Sequence, residues 1–594
     1  MYDEYYWNVL LHYKPLSGER KSLIDDPTFF LSPVGKRNPK AELIATLQAF
    51  FTPQSCSQKH PQCRFPARLA WLKQVLPIDE EKLPRLDCPE LEANLMKANP
   101  NTAVLIFASA SNTRLVSMFG HTLLRIDSPN RSNLISPAVN YSAVTRDKSG
   151  FGYAYRGIFG HYRGYYSVLP YYQKLKEYDN LEDRDIWEYH LNLNIEEVAR
   201  MILHIWELKG IYSNYYFFQE NCSFNLLYLL EAARPSLHLI EKFWVGPKFW
   251  VIPSDTAIVI DEAGLVSKVI YRPCLANKIQ QISNSIEKNV RDTAMAIVRQ
   301  ELPPTSVLKK DDSHDDTRHA LDLAAECIQY QYTNMELDQE QYRERLLPVL
   351  NAKSDLKKVS SHMRETNPLS SPHEGHRPAR IAIGIGHRED LFFAELNLRP
   401  AFHDLLDPKE GYAPGSQLNL FEINARYYEG TESLVLDRFR LIDILALAPR
   451  NFCLKPISWK ANTGFDMEIM PDGSDHLLYR LNTGGGVSYH NHKVGFLYGM
   501  LETDLEIIDE LQDSFAFGAG FSLGIKGYLN DSWTINIQGQ VLEYFLGDSH
   551  RSYRGIITQQ LTLAPDIAVG VSFSAEKSFD FYEREMCFNI RCYF

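Results

Sequence analysis

From about Arg377 to Phe594 the chain alternates with a period of two, and over so long a stretch few folds are compatible with that pattern. In FAFGAGFSLGIK, residues Phe515, Phe517, Ala519, Phe521, Leu523 and Ile525 share one face, opposite Ala516, Gly518, Gly520, Ser522, Gly524 and Lys526. DIAVGVSFSAE sets Ile567, Val569, Val571 and Phe573 against small and polar residues, and WTINIQGQV does the same with Trp533, Ile535 and Ile537. The chain ends in EMCFNIRCYF, with Met586, Phe588, Ile590, Cys592 and Phe594 on one face. A soluble β-sandwich also alternates. Three features favour a transmembrane barrel instead: runs of about ten residues or more, short turns between them, and an aromatic as the last residue of a strand. Lipid satisfies no open sheet edge, so such a sheet has to close. The pattern predicts an antiparallel barrel of about 12 strands over 373–594, an even number as bacterial barrels require.

Composition then falls into place. The 594 residues include 33 Tyr and 31 Phe, a load that the aromatic girdles of a barrel explain. The net charge of −12 argues against a nucleic-acid partner. No run approaches the roughly 20 apolar residues of a membrane helix. The opening MYDEYYWNVLLHYK lacks a basic start followed by an apolar core, so the expectation is a leader removed or lying upstream. Nine cysteines show no CxxC pairing, and neither metal-ligand spacing nor a phosphate-binding loop is present, so no metal or cofactor is expected. Cys56, Cys63 and Cys88 are close enough in sequence to supply one disulfide, which suits an oxidising compartment.

Ahead of the barrel, residues 1–100 read as a helical N-terminal domain, with helical periodicity in AELIATLQAFF and PARLAWLKQVL. Residues 101–275 mix strands with helices. AVLIFASA, HTLLRID and AVNYSAV are strand-like, whereas NIEEVARMILHIWELKG has a cap at Asn194 and a stop at Gly210. The helix in SFNLLYLLEAARP is apolar on nearly every side and should be buried. Residues 276–372 read as a helical connector.

The groups best suited to chemistry lie between His121 and Cys222. Cys222 opens the buried helix, where the partial positive charge of the helix start favours a thiolate. His121 opens a strand after Gly120 and supplies an imidazole to take and return a proton. Asn140, on the next strand, is suited to orient that imidazole. Arg125 is a candidate to bind a phosphate or carboxylate, Ser117 and Ser223 to position substrate or its oxyanion, and His161 to line an acyl pocket. His403 and Asp404 in AFHDLLDP suggest a barrel hydrolase site, but no serine motif accompanies them.

The motifs FGHTLLRID, AVNYSA, IFGHYRGYYSVLPYYQKLKEYDNLEDRDIWEYHLNL, HIWELKG, YYFFQENCSFNLLYLLEAARP and IPSDT occur in this order. Through them the chain resembles proteins with the Lnb N-terminal periplasmic domain, found in a class of bacterial lipoprotein N-acyltransferases. WNVLLHYK, CRFPARLAWL and RPAFHDLLDP look like flanking segments of its proteobacterial members. The resemblance implies a permuted papain-like (NlpC-type) α+β domain, with the His-bearing strand ahead of the Cys-bearing helix, Cys222 as nucleophile and His121 as base. Asn221-Cys222-Ser223 is similar to the acyltransferase's Asn-Cys-Glu motif. It further implies an outer-membrane-anchored acyltransferase of a Gram-negative bacterium, with the domain in the periplasm. The reaction would run through an acyl-thioester, with a membrane lipid as donor and a lipoprotein or other envelope amine as acceptor. The alternatives are a Cys/His envelope hydrolase and a non-enzymatic barrel for transport or envelope assembly. Members of the acyltransferase class carry membrane helices where this chain is expected to form a barrel.

Overall fold

A computed structural model of the chain describes residues 1–14, 20–53, 60–109, 120–129, 131–145, 147, 151–177, 184–243, 250–309, 314–356, 370–491 and 494–594. These fall into two compact units, one made of residues within 1–109, 119–177 and 186–272, the other chiefly of 273–594.

The first unit is built on a seven-stranded antiparallel sheet. Its strands are β1 (Thr102–Ala108), β2 (His121–Asp127), β3 (Pro137–Val144), β4 (Tyr162–Pro170), β5 (Ile186–Leu191), β6 (Tyr212–Tyr215) and β7 (Val266–Arg272), in the order β6-β4-β3-β2-β1-β5-β7. β1 and β2 are buried along almost their whole length. Covered on both faces, they read in sequence as continuous apolar runs rather than as alternation. The helices Ile195–Glu207 and Cys222–Ala233 pack on this sheet and on each other. Asn194 caps the first of them: its side chain accepts from the Glu197 N–H at 2.9 Å, and the Glu197 carboxylate accepts from the Asn194 N–H at 2.9 Å.

The N-terminal helices are packed onto this pair. Tyr6 donates to the Ala232 carbonyl at 2.9 Å, and the Trp206 indole N–H donates to the Cys63 carbonyl at 2.9 Å. Arg68, fully buried, pairs with Glu42 at 2.8 Å, and its backbone N–H donates to Glu207 at 2.9 Å. Cys63 and Cys88 form a disulfide.

The second unit begins with the helices Leu275–Ser285, Lys288–Val298, His314–Thr333 and Gln339–Asp355. Ile279, Leu321, Ala324, Cys327, Ile328 and Val349 form their core. Twelve antiparallel strands then run from Arg380 to Tyr593, each pairing with the next. Closure comes from the strand Arg380–Arg388, which pairs with the last strand, Phe581–Tyr593. The short strand Ala401–His403 extends one wall along Ser416–Tyr428.

Alternation sorts the barrel as its pattern predicts. Leu501, Phe515, Phe521, Leu523, Phe573 and Phe588 are exposed on the outer face, which Phe517 shares. The inside is crossed by ion pairs: Arg426 with Glu395 at 3.0 Å and Asp437 at 2.8 Å, Arg480 with Glu468 at 2.7 Å, and Arg554 with Glu468 at 3.0 Å. Among the described residues no helix is long and apolar enough to cross a membrane.

Candidate active site

The site is assembled where the start of one strand meets the start of one helix. Gly120 precedes His121 with φ +70°, a backbone conformation open to glycine at little cost. A Cβ there would also lie 3.3 Å from the Ala108 carbonyl oxygen. The turn therefore needs glycine on both counts, and it sets His121 at the first position of β2. Asn140 comes from the neighbouring β3, with its Oδ1 2.6 Å from His121 Nε2. An amide oxygen only accepts, so Nε2 carries the proton and Nδ1 is the basic nitrogen of the neutral ring. The Asn140 amide donates in turn to the Ser142 hydroxyl at 3.2 Å.

Cys222 is the first residue of its helix and is buried. The preceding Asn221 caps the helix, accepting from the Phe224 N–H at 3.2 Å, and its amide donates to the Phe217 and Val251 carbonyls at 3.0 and 2.6 Å. That double anchorage fixes where the thiol begins. The Cys222 sulfur lies within hydrogen-bonding reach of the His121 imidazole and the Thr122 backbone N–H, with the Ser223 hydroxyl at 4.0 Å. Ser223 and Thr122 join their hydroxyls at 3.2 Å, tying helix to strand beside the thiol.

Burial alone would push the Cys222 thiol up. The charge of His121, its hydrogen bond, the Thr122 N–H and the Ser223 hydroxyl outweigh that and bring it down to about 6. The thiol is thus poised to be a thiolate near neutrality, which is what a sulfur nucleophile requires.

The remaining sequence candidates are placed differently. Arg125 is fully buried, bidentate to Asp127 at 2.8 and 2.9 Å and paired with Glu188 at 3.0 Å, so its charge is already held by carboxylates. His161 is exposed, with its ring 5.7 Å from that of Tyr155. Ser117 lies outside the described residues.

His403, in the second unit, hydrogen-bonds His376 at 2.9 Å. With Asp407 these two form the one group of this kind among the described residues compact enough to hold a metal ion. Asp407, however, already accepts from Arg399 at 2.5 Å and Tyr593 at 2.7 Å, so its oxygens are committed.

One residue escaped the reading of the sequence. Tyr215, from β6, has its hydroxyl against both the sulfur and the backbone N–H of Cys222. It sits in a tyrosine-rich run, IYSNYYFF, in which nothing local singles it out.

Family models tile the chain. Domains of unknown function match 1–75 (DUF7843), 269–365 (DUF7842) and 369–593 (DUF7840). The model described as the Lnb N-terminal periplasmic domain matches 90–260, the segment that holds His121, Asn140, Tyr215 and Cys222. The chain carries an Lnb N-terminal periplasmic domain.

No curated protein matches the chain significantly. Among solved structures, the NanC porin is similar at 9% identity and a TM-score of 0.24, over 36% of this chain and 100% of that one. The KdgM porin in complex with disordered oligogalacturonate follows at 10% and 0.23, over 36% and 99%. The anion-selective porin from Comamonas acidovorans stands at 9% and 0.19, over 36% and 98%.

A periplasmic Lnb domain joined to a closed barrel with an apolar outer face makes this an outer-membrane protein whose Lnb domain lies in the periplasm.

Proposed function

We propose that the Lnb domain of this chain is a cysteine-dependent acyltransferase, permuted papain-like in its arrangement, that works through a thioester on Cys222. The observation that carries the reading is the Cys222 sulfur, at the first position of a buried helix, within hydrogen-bonding reach of the His121 imidazole that Asn140 holds. The order of His-bearing strand before Cys-bearing helix supports the papain-like assignment.

In the first half-reaction the Cys222 thiolate attacks the ester carbonyl of a membrane lipid. The Tyr215 hydroxyl and the N–H groups of Cys222 and Ser223, the two of the first turn that the Asn221 side chain does not cap, are the donors for the oxyanion of the tetrahedral intermediate. Imidazolium His121 then gives its proton to the departing alkoxide, leaving a lysolipid and the acyl-thioester. In the second half-reaction an amine attacks the thioester, His121 takes the amine's proton, and Cys222 leaves as thiolate. Asn140 holds the imidazole in the required tautomer throughout. A terminal amine of a lipoprotein is the acceptor that the family resemblance favours.

The test is intact-mass analysis of the purified chain, followed by peptide mapping, with and without added diacyl phospholipid. An acyl adduct on Cys222 that is discharged by an amine is the expected result. Discharge to water alone in the presence of the amine would make the enzyme a hydrolase. An unmodified Cys222 under all conditions would remove the thioester from the mechanism.

A further inference from the structure

The barrel and its helical segment meet at a point rich in sulfur. The loop 447–457 joins the barrel strands Ser433–Ala446 and Ser458–Ile469. It leaves the same rim at which the barrel chain enters at Arg380 and ends at Tyr593, because Arg380 pairs with Tyr593 and Ser416 with Ala446. The middle of this loop packs on the helices. Leu454 is one of the buried residues of the helical core, with Phe452 and Cys453 packed against it. Asn451 donates to Gln280 at 2.8 Å and accepts from the backbone N–H groups of Cys453 and Leu454 at 2.9 and 2.7 Å. The turn so formed fixes the direction of Cys453. On the other side Cys327, on the helix His314–Thr333, is fully buried in the same core, and its thiol is a hydrogen-bonding neighbour of the Cys453 thiol.

Two thiols facing each other in an apolar core are held as thiols only where the compartment is reducing. This chain is placed in the outer membrane with its Lnb domain in the periplasm, an oxidising compartment, and its Cys63 and Cys88 are already joined. We infer that Cys327 and Cys453 form a second disulfide, which staples the helical segment to the barrel rim. The step is a thiol–disulfide exchange with a protein disulfide of the oxidising envelope. One thiolate attacks a sulfur of the donor to give a mixed disulfide. The second thiolate attacks the sulfur of the first, and the donor leaves as a dithiol. The two cysteines lose two protons and two electrons, and the donor gains them. The adjoining Cys453 thiol, and then burial, raise the Cys327 thiol and slow attack in the finished fold, so the exchange takes place while the helical core is still open.

The cross-link closes a loop that includes 357–369, the stretch between the helices and the first barrel strand. It therefore ties the helix His314–Thr333 directly to the loop 447–457.

The experiment is a non-reducing peptide map of the full chain taken from outer membranes, alkylated with iodoacetamide at the moment of denaturation. The expected result is one cross-linked species containing the Cys327 and Cys453 peptides, which separates into two on reduction. In Cys453→Ser, Cys327 should be recovered fully carbamidomethylated, with the Cys63–Cys88 cross-link unchanged. Recovery of both Cys327 and Cys453 as alkylated monomers from the wild-type protein would overturn the inference, as would either one joined to a third cysteine.

Discussion

At the scale of single residues, the behaviour of Cys222 is governed by a contest between burial and one imidazole. Desolvation raises the thiol, and His121 is the largest of the influences that lower it to about 6. Alkylation by iodoacetamide should accordingly climb between about pH 5 and pH 7, where an ordinary cysteine climbs near pH 8.5. In His121→Ala burial is left with weaker opposition, and the profile should move to higher pH. A profile that stays in place would mean that the thiol and imidazole are not partnered. Tyr215 makes a sharper test of chemistry, because Tyr215→Phe removes one hydroxyl and keeps the ring that stacks with Tyr141, 5.7 Å away between centroids. If that hydroxyl meets the oxyanion, kcat should fall about 100-fold with KM little changed, the loss typical of one oxyanion donor. A change confined to KM would make Tyr215 a substrate contact instead.

At the scale of elements, the helix Cys222–Ala233 shows what the sequence could and could not disclose. Its burial was legible from an apolar pattern without a polar side, and its start from the placing of Cys222 ahead of that apolar run. β1 and β2 were legible as short apolar runs, and the preceding helix from Asn194 and Gly210. The partners that make a residue structural were not legible. Arg125 meets Glu188 across β1, between strands distant in sequence, and a charge on a strand looks the same whether it awaits a ligand or already holds one. Tyr215 was hidden for the same reason, since its role depends on β6 being brought to the end of the Cys222 helix. Asn221 carries the element's own prediction. Asn221→Ala removes the cap and leaves the Phe217 and Val251 carbonyls without their donor. The local opening of the first turn should become easier by about 1–3 kcal/mol. Hydrogen exchange at the Phe224 amide should quicken at least about 5-fold, while exchange at Leu229 and Leu230 changes less. Equal protection at Phe224 in both proteins would show that the cap does not hold the helix start.

At the scale of the whole molecule, the same alternation that made the barrel legible separates two solvents. Outward residues meet lipid and inward residues meet one another, and the inward set is charged: Arg480 alone faces Glu468 at 2.7 Å and Asp504 at 3.4 Å. Arg426, Arg480 and Arg554 each meet carboxylates drawn from more than one strand, so the interior is specified by pairs that no single strand reveals. The outside depends on no such pairing, and its energetics follow from depth in the bilayer. Leu501 is 75% exposed, lies midway along the strand Gly495–Ile507, and stands opposite Phe521, itself at the middle of the next strand. Leu501→Arg puts a charge near the midplane and should cost about 2–4 kcal/mol in lipid. Leu563→Arg replaces a comparably exposed residue near the end of the strand Arg551–Ala564, where the cost should fall to about 1 kcal/mol or less. Reversible unfolding of the chain in phospholipid vesicles, followed by urea titration, would compare the two. A larger penalty at Leu501 than at Leu563 marks the outer face as a lipid contact with a hydrocarbon centre. Equal penalties would mean that the outer face meets no bilayer, and the assignment of this barrel to a membrane would fall with them.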